Sequence, residues 1–159
     1  MGAVLAVVGV LTRLDGAHVL VGAAVALAGG TAARLTLAAR ARATAAARRA
    51  EAVEVVSLLA AELRAGALAD HAVQAVATES GLIDAAARAA AQGADVVPAL
   101  RHAGVAPGAE LLADVASAWW VADRAGAPLS TVLGRLAERA RDDLDLAVEV
   151  TAELGPARA

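Results

Sequence analysis

The chain has 159 residues, a net charge of −3 and no Cys, Lys, Phe, Tyr or Asn. About fifty residues are Ala, so much of the hydrophobic content buries little area, and the abundance of Ala, Leu, Arg and Glu points to an all-α fold. The absences exclude a phosphate-binding or Schiff-base lysine, a disulfide and a thiolate metal site; with Trp119 and Trp120 as the sole aromatics and a pI of 5.6, nucleic acid is not expected as a partner.

The charges fall into three zones. Residues 1–33 carry only Arg13 and Asp15. Residues 34–49 carry Arg34, Arg40, Arg42, Arg48 and Arg49 and no acid, and the remainder sets eight Arg against sixteen acids. Ala3–Thr12 is apolar but too short to span a bilayer, whereas Ala17–Ala33 is uncharged and extends through Leu37 to Ala39 if Arg34 snorkels. That stretch makes roughly 34 Å of helix against a hydrocarbon core of about 30 Å. A transmembrane helix near 17–38 is therefore expected, and the arginines behind it predict that residues after about 39 are cytoplasmic. A signal peptide would need a positive segment before Ala3, and none is there. A hairpin of Ala3–Thr12 and Ala17–Leu37 turning at Arg13–Gly16 satisfies the same pattern, as does an Ala-rich helix buried in a water-soluble fold.

From Thr44 onward the chain reads as helices punctuated by glycine. Ala50–Arg64 places Val53, Val56, Leu59, Ala60 and Leu63 on one face and Glu51, Glu54, Ser57 and Glu62 on the other. Gly66 breaks it. Ala69–Glu79 follows, with Val73, Val76 and Ala77 inward, and Gly81 breaks the chain again. Ile83–Gln92 turns Ala86, Ala87, Ala90 and Ala91 inward, with Asp84 and Arg88 as an outer i,i+4 pair. After Gly93, Asp95 is the expected cap of a short helix running to His102, with Pro98 tolerated in its first turn. Gly104, Pro107 and Gly108 form the clearest break.

Glu110–Arg124 carries Leu111, Leu112, Val115 and Trp119 at helical spacing, and Gly126 and Pro128 end it. The last helix, Leu129–Leu154, carries a continuous stripe of Leu133, Leu136, Ala137, Ala140, Leu144, Ala147 and Val148. Arg64-Ala65-Gly66-Ala67-Leu68 and Arg124-Ala125-Gly126-Ala127-Pro128-Leu129 each stop one helix and restart another at once. Connections this short pack neighbouring helices into a compact bundle.

The order Leu58–Gly66, Ala72–Ala77, Gly93–Leu100 and Val115–Leu133 resembles the type II secretion system F domain. The likeness is nearest to actinobacterial members of Tad (Flp-type) pilus assembly platforms and covers about 50–154. Its motif positions are Arg64 and Gly66 at the first turn, Gly93 opening a middle helix, and Gly126, Pro128, Leu129 and Leu133 in a Gly-x-Pro-Leu-x-x-x-Leu element. The resemblance implies a non-enzymatic inner-membrane protein, needing no cofactor, that couples a cytoplasmic secretion ATPase to pilin assembly or export alongside sibling platform and pilin subunits as a homo- or hetero-oligomer. It also implies further transmembrane helices after this domain, and the sequence given stops at Gly155-Pro156-Ala157-Arg158-Ala159 without them. The implied organisation is an anchor over 1–39, a basic juxtamembrane segment over 40–49, a helical domain over 50–154 and a tail over 155–159.

Chemistry-bearing clusters are sparse. His18, His71 and His102 share no ligand-like spacing, so no metal site is expected. Ser57, Ser80, Ser117 and Ser130 lack a neighbouring base, so no catalytic residue is assigned. Trp119 falls on the apolar stripe and is expected in the core, while Trp120 lies about 100° round the helix and is a candidate partner contact. Asp142 and Asp145, one turn apart with Asp143 between them, are a second candidate contact, suited to an arginine on a partner.

Overall fold

The computed structural model describes the backbone of residues 16–154 and the side chains of residues 29–150. Every described element is helical. They are α1 (Gly16–Arg64), α2 (Ala69–Ala77), a 3-10 turn (Gly81–Ile83), α3 (Asp84–Ala91), α4 (Val97–Ala103), α5 (Glu110–Ala125) and α6 (Leu129–Leu154). Contacts divide the chain between Arg42 and Ala43.

The expected start of a new helix at Ala50 is corrected: α1 runs unbroken through the basic segment. No Gly or Pro stands between Thr31 and Arg64, and the run is mostly Ala, Arg, Leu and Glu, so nothing in the backbone interrupts hydrogen bonding. Among the described residues no helix is long and apolar enough to cross a membrane. Much of the expected span at 17–38 falls on residues 17–28, whose side chains lie outside those described, as do Ala3–Thr12 of the hairpin alternative and the 155–159 tail.

Within residues 43–159, three turns close alike. The amides of Ala67, Ala94 and Ala127 donate to the carbonyls of Glu62, Ala89 and Ala122 at 2.9–3.1 Å. Each closure needs a left-handed residue at the end of the helix, supplied by Gly66 (φ 95°), Gly93 (φ 65°) and Gly126 (φ 65°). Gly93 is thus the stop of α3 rather than the opening of a middle helix. That helix, α4, is opened by Asp95, whose Oδ1 accepts from the Val97 amide at 2.9 Å. Each of α2 to α6 packs on its neighbours in sequence, an arrangement of antiparallel hairpins.

The core is built from Val55, Val56 and Leu59 of α1, Val73 and Val76 of α2, Ile83, Val97 and Leu100, Leu112 and Val115 of α5, and Leu133 of α6. Burying each such Val, Leu or Ile contributes about 1.5–3 kcal/mol. Among the described residues, nine of the twenty-two buried apolar ones are Ala, which contribute less area but let helix axes approach.

Five inward or outward assignments change. Ser57 is buried, because its hydroxyl donates to the Val53 carbonyl at 2.6 Å and needs no water. Ala91 is exposed, since α3 ends there. Trp119 is only half-buried, packed against the edge of the core. The α6 stripe is buried at Leu133 and Ala137 and half-covered at Leu144, but Ala147 is exposed and Val148 is 69% exposed, because α6 outruns the short helices beside it.

Candidate interaction surfaces

The bundle has two ends, and each gathers different chemistry. At one end, α1 residues 45–51 meet the α2–α3 and α4–α5 connections. Ser80 donates its hydroxyl to Glu51 Oε1 at 2.6 Å and accepts the Leu82 amide at 3.2 Å, which fixes the 3-10 turn. Arg48 donates from Nη1 to the Pro107 carbonyl at 2.6 Å. Gly108, at φ 92°, lies so close to the Ala45 carbonyl that no Cβ fits between them. Gly104 is similarly pressed against Ala113, where an added Cβ would come within 2.7 Å of the alanine Cβ.

Glu110 opens α5 here. Its Oε1 accepts the Gly108 amide at 3.0 Å, and that bond is the main reason its carboxyl is held below the ordinary glutamate range. Its own amide acts in the same direction; burial opposes, and the charges of Arg49 and Arg48 lower the value further. An open groove of about 300 Å³ runs past Arg49, Glu110, Asp114, Asp143 and Leu144. Its lining sets three carboxylates against one arginine and holds no aromatic side chain.

The sequence-assigned topology arginines therefore divide. Arg34, Arg40 and Arg42 are exposed on α1, whereas Arg48 ties α1 to the α4–α5 connection and Arg49 lines the groove. The motif residues divide too. Arg64 donates from Nε to the Ala60 carbonyl of its own helix at 3.1 Å. Gly66, Gly93 and Gly126 close turns, and Pro128 offers its carbonyl to the first amides of α6. Leu129 is half-buried against the core and Leu133 is fully buried within it.

The other end of the bundle gathers the α1–α2, α3–α4 and α5–α6 turns. There the start of α2, the loop from Gly93 to Val97 and the last turns of α5 enclose a recess of about 480 Å³. It is lined by Trp119, Trp120, Asp70, Asp95, Asp123 and Arg124, among others. A second hollow shares Ala69, Trp119 and Asp123 and continues to Gly126 and Leu129. Trp120 is 46% exposed, and the Arg124 guanidinium sits 4.0 Å from its ring centroid.

Of the candidate contacts, only Trp120 belongs to this recess. Asp142 and Asp145 are exposed on α6, and Asp142 lies thirteen residues beyond the start of that helix, about 20 Å along its axis. The carboxylates that line the recess with the indoles are Asp70, Asp95 and Asp123. The sequence held a signal for them: each lies within a few residues of one of the alternate turns, which an antiparallel bundle must bring to one end. Among the described residues no group of three His, Cys, Asp or Glu side chains is placed to hold a metal ion. Comparisons with protein-family models, curated proteins and solved structures returned no match.

Proposed function

We propose that the chain is a non-enzymatic platform component of the type II secretion F kind, anchored in the cell membrane near 17–38. Its cytoplasmic bundle would dock a secretion ATPase and sibling platform or pilin subunits. The observation that carries the reading is the pair of turns at Arg64–Leu68 and Arg124–Leu129. Each stops one helix with a left-handed glycine and opens the next within five residues, as the resemblance implies. The charge order supports it as well: an apolar opening, a basic collar and an acidic body suit an anchor, a cytoplasmic boundary and a basic partner surface.

The test is fractionation of cells expressing the full chain, followed by detergent extraction and purification. The expected result is a carbonate-resistant membrane fraction from which a secretion ATPase co-purifies. Recovery of the chain wholly in the soluble fraction overturns the reading. A second reading, a helical adaptor or oligomerisation module with a buried N-terminal helix, is favoured by the exposed Leu35, Leu37, Leu146 and Val148, which leave apolar surface for another chain. It predicts a stable oligomer in buffer without detergent.

A further inference from the structure

We infer that the recess around Trp120 is a docking site for an arginine-bearing segment of a partner protein. This concerns the bundle alone and stands whether or not the chain is a secretion platform.

Three features converge on that occupant. The first is charge. Asp70, Asp95 and Asp123 come from α2, the α3–α4 loop and α5, and Arg124 is the one cation among the residues lining the recess. The recess is therefore net negative and complements a cationic ligand. None of the three is held in the core: all are exposed, and of Asp95 only Oδ1 is engaged, by the Val97 amide.

The second feature is the aromatic floor. The chain has two aromatic residues in all, and both line this recess. Trp119 is anchored against the core, so the floor is fixed, while Trp120 keeps nearly half its surface open. The third is geometric. Arg124 at 4.0 Å from the Trp120 centroid shows how a planar guanidinium lies on this indole. A second guanidinium stacked on the remaining open surface would sit beside the carboxylates, which accept its N–H groups in pairs. Lysine offers a point charge without the planar stack, so the recess discriminates arginine from lysine.

The rim favours a protein segment over a free small cation. Leu68, directly before Ala69, is 69% exposed, and the adjoining hollow runs on to Leu129. The resulting trough has room for a short run of chain carrying its arginine among apolar side chains.

The experiment uses the full chain in mild detergent and a fluorescent Ala-based peptide carrying three arginines at i,i+4 spacing, with lysine and glutamate analogues. Binding is followed by anisotropy at fixed ionic strength, and circular dichroism checks that each variant keeps its helix content. Saturable binding of the arginine peptide is expected, several-fold weaker binding of the lysine analogue, and none of the glutamate analogue. Trp120→Ala and the double variant Asp70→Asn/Asp123→Asn should each weaken binding roughly tenfold. The double variant Asp142→Asn/Asp145→Asn removes the same charge from α6 and should change it less than about twofold.

Equal losses in the two double variants would mean that the peptide reads only the overall acidity of the chain, and would overturn the proposal. So would an unchanged affinity in Trp120→Ala, equal binding of the arginine and lysine peptides, or no saturable binding at all.

Discussion

Where α4 hands over to α5, Gly104 and Gly108 are pressed against the backbone and Cβ atoms of neighbouring helices; at the opposite end of the bundle Gly66, Gly93 and Gly126 face open space. The first pair is needed for room. The second set is needed only for backbone conformation, since each closes a turn at positive φ with nothing within 4 Å of where a Cβ would stand. One end of the molecule is thus closed by contact and the other by local hydrogen bonds, which leaves the second free to form the Trp120 recess.

The largest test of this contrast is Gly108→Ala. The new methyl must displace the Ala45 carbonyl while its residue stays left-handed, so a loss of about 3–5 kcal/mol is expected in urea unfolding. Gly126→Ala meets only the conformational penalty and should lose about 1–2 kcal/mol in the same measurement. Equal losses at the two positions would mean that close contact adds nothing at Gly108.

Ser80→Ala removes both the bond to Glu51 and the acceptor for the Leu82 amide, and should cost about 1 kcal/mol. Glu110→Gln is the smallest effect. The native carboxyl is held below its ordinary range, so its contribution is present at neutral pH and is lost as pH falls through the lowered value. Because the group is exposed, the variant should lose only a few tenths of a kcal/mol at pH 7, with a shallower fall in stability between about pH 5 and pH 3.

Five of the six helices were legible because glycine marks their ends and the apolar spacing marks their faces. The left-handed closures at Gly66 and Gly126 follow from the same punctuation. The close approaches at Gly104 and Gly108 were not legible, because a glycine that admits a neighbouring backbone reads in sequence like any loop glycine. Ser57 reads as outward-facing, yet a hydroxyl can satisfy itself on the preceding turn and be buried. Val148 reads as part of the inner stripe, but a periodic stripe tells which face is apolar and not whether another helix reaches that far. Of the recess, the sequence singles out Trp120 but not the three carboxylates. They stand at 70, 95 and 123, and only the alternation of turns brings them together.

Among the described residues alanine fills nine of the buried positions, from Ala52 in α1 to Ala137 in α6. A core of this kind is limited by clearance between helix axes more than by its oiliness. Exchanging such an alanine for serine or glycine leaves the axes where they are. Exchanging it for valine or leucine drives them apart along their whole contact, and shifts every side chain seated in the same seam. The clearance of the interior is therefore one-sided: serine and glycine fit without moving a helix, glycine at about 1 kcal/mol of helix propensity, and larger residues do not fit.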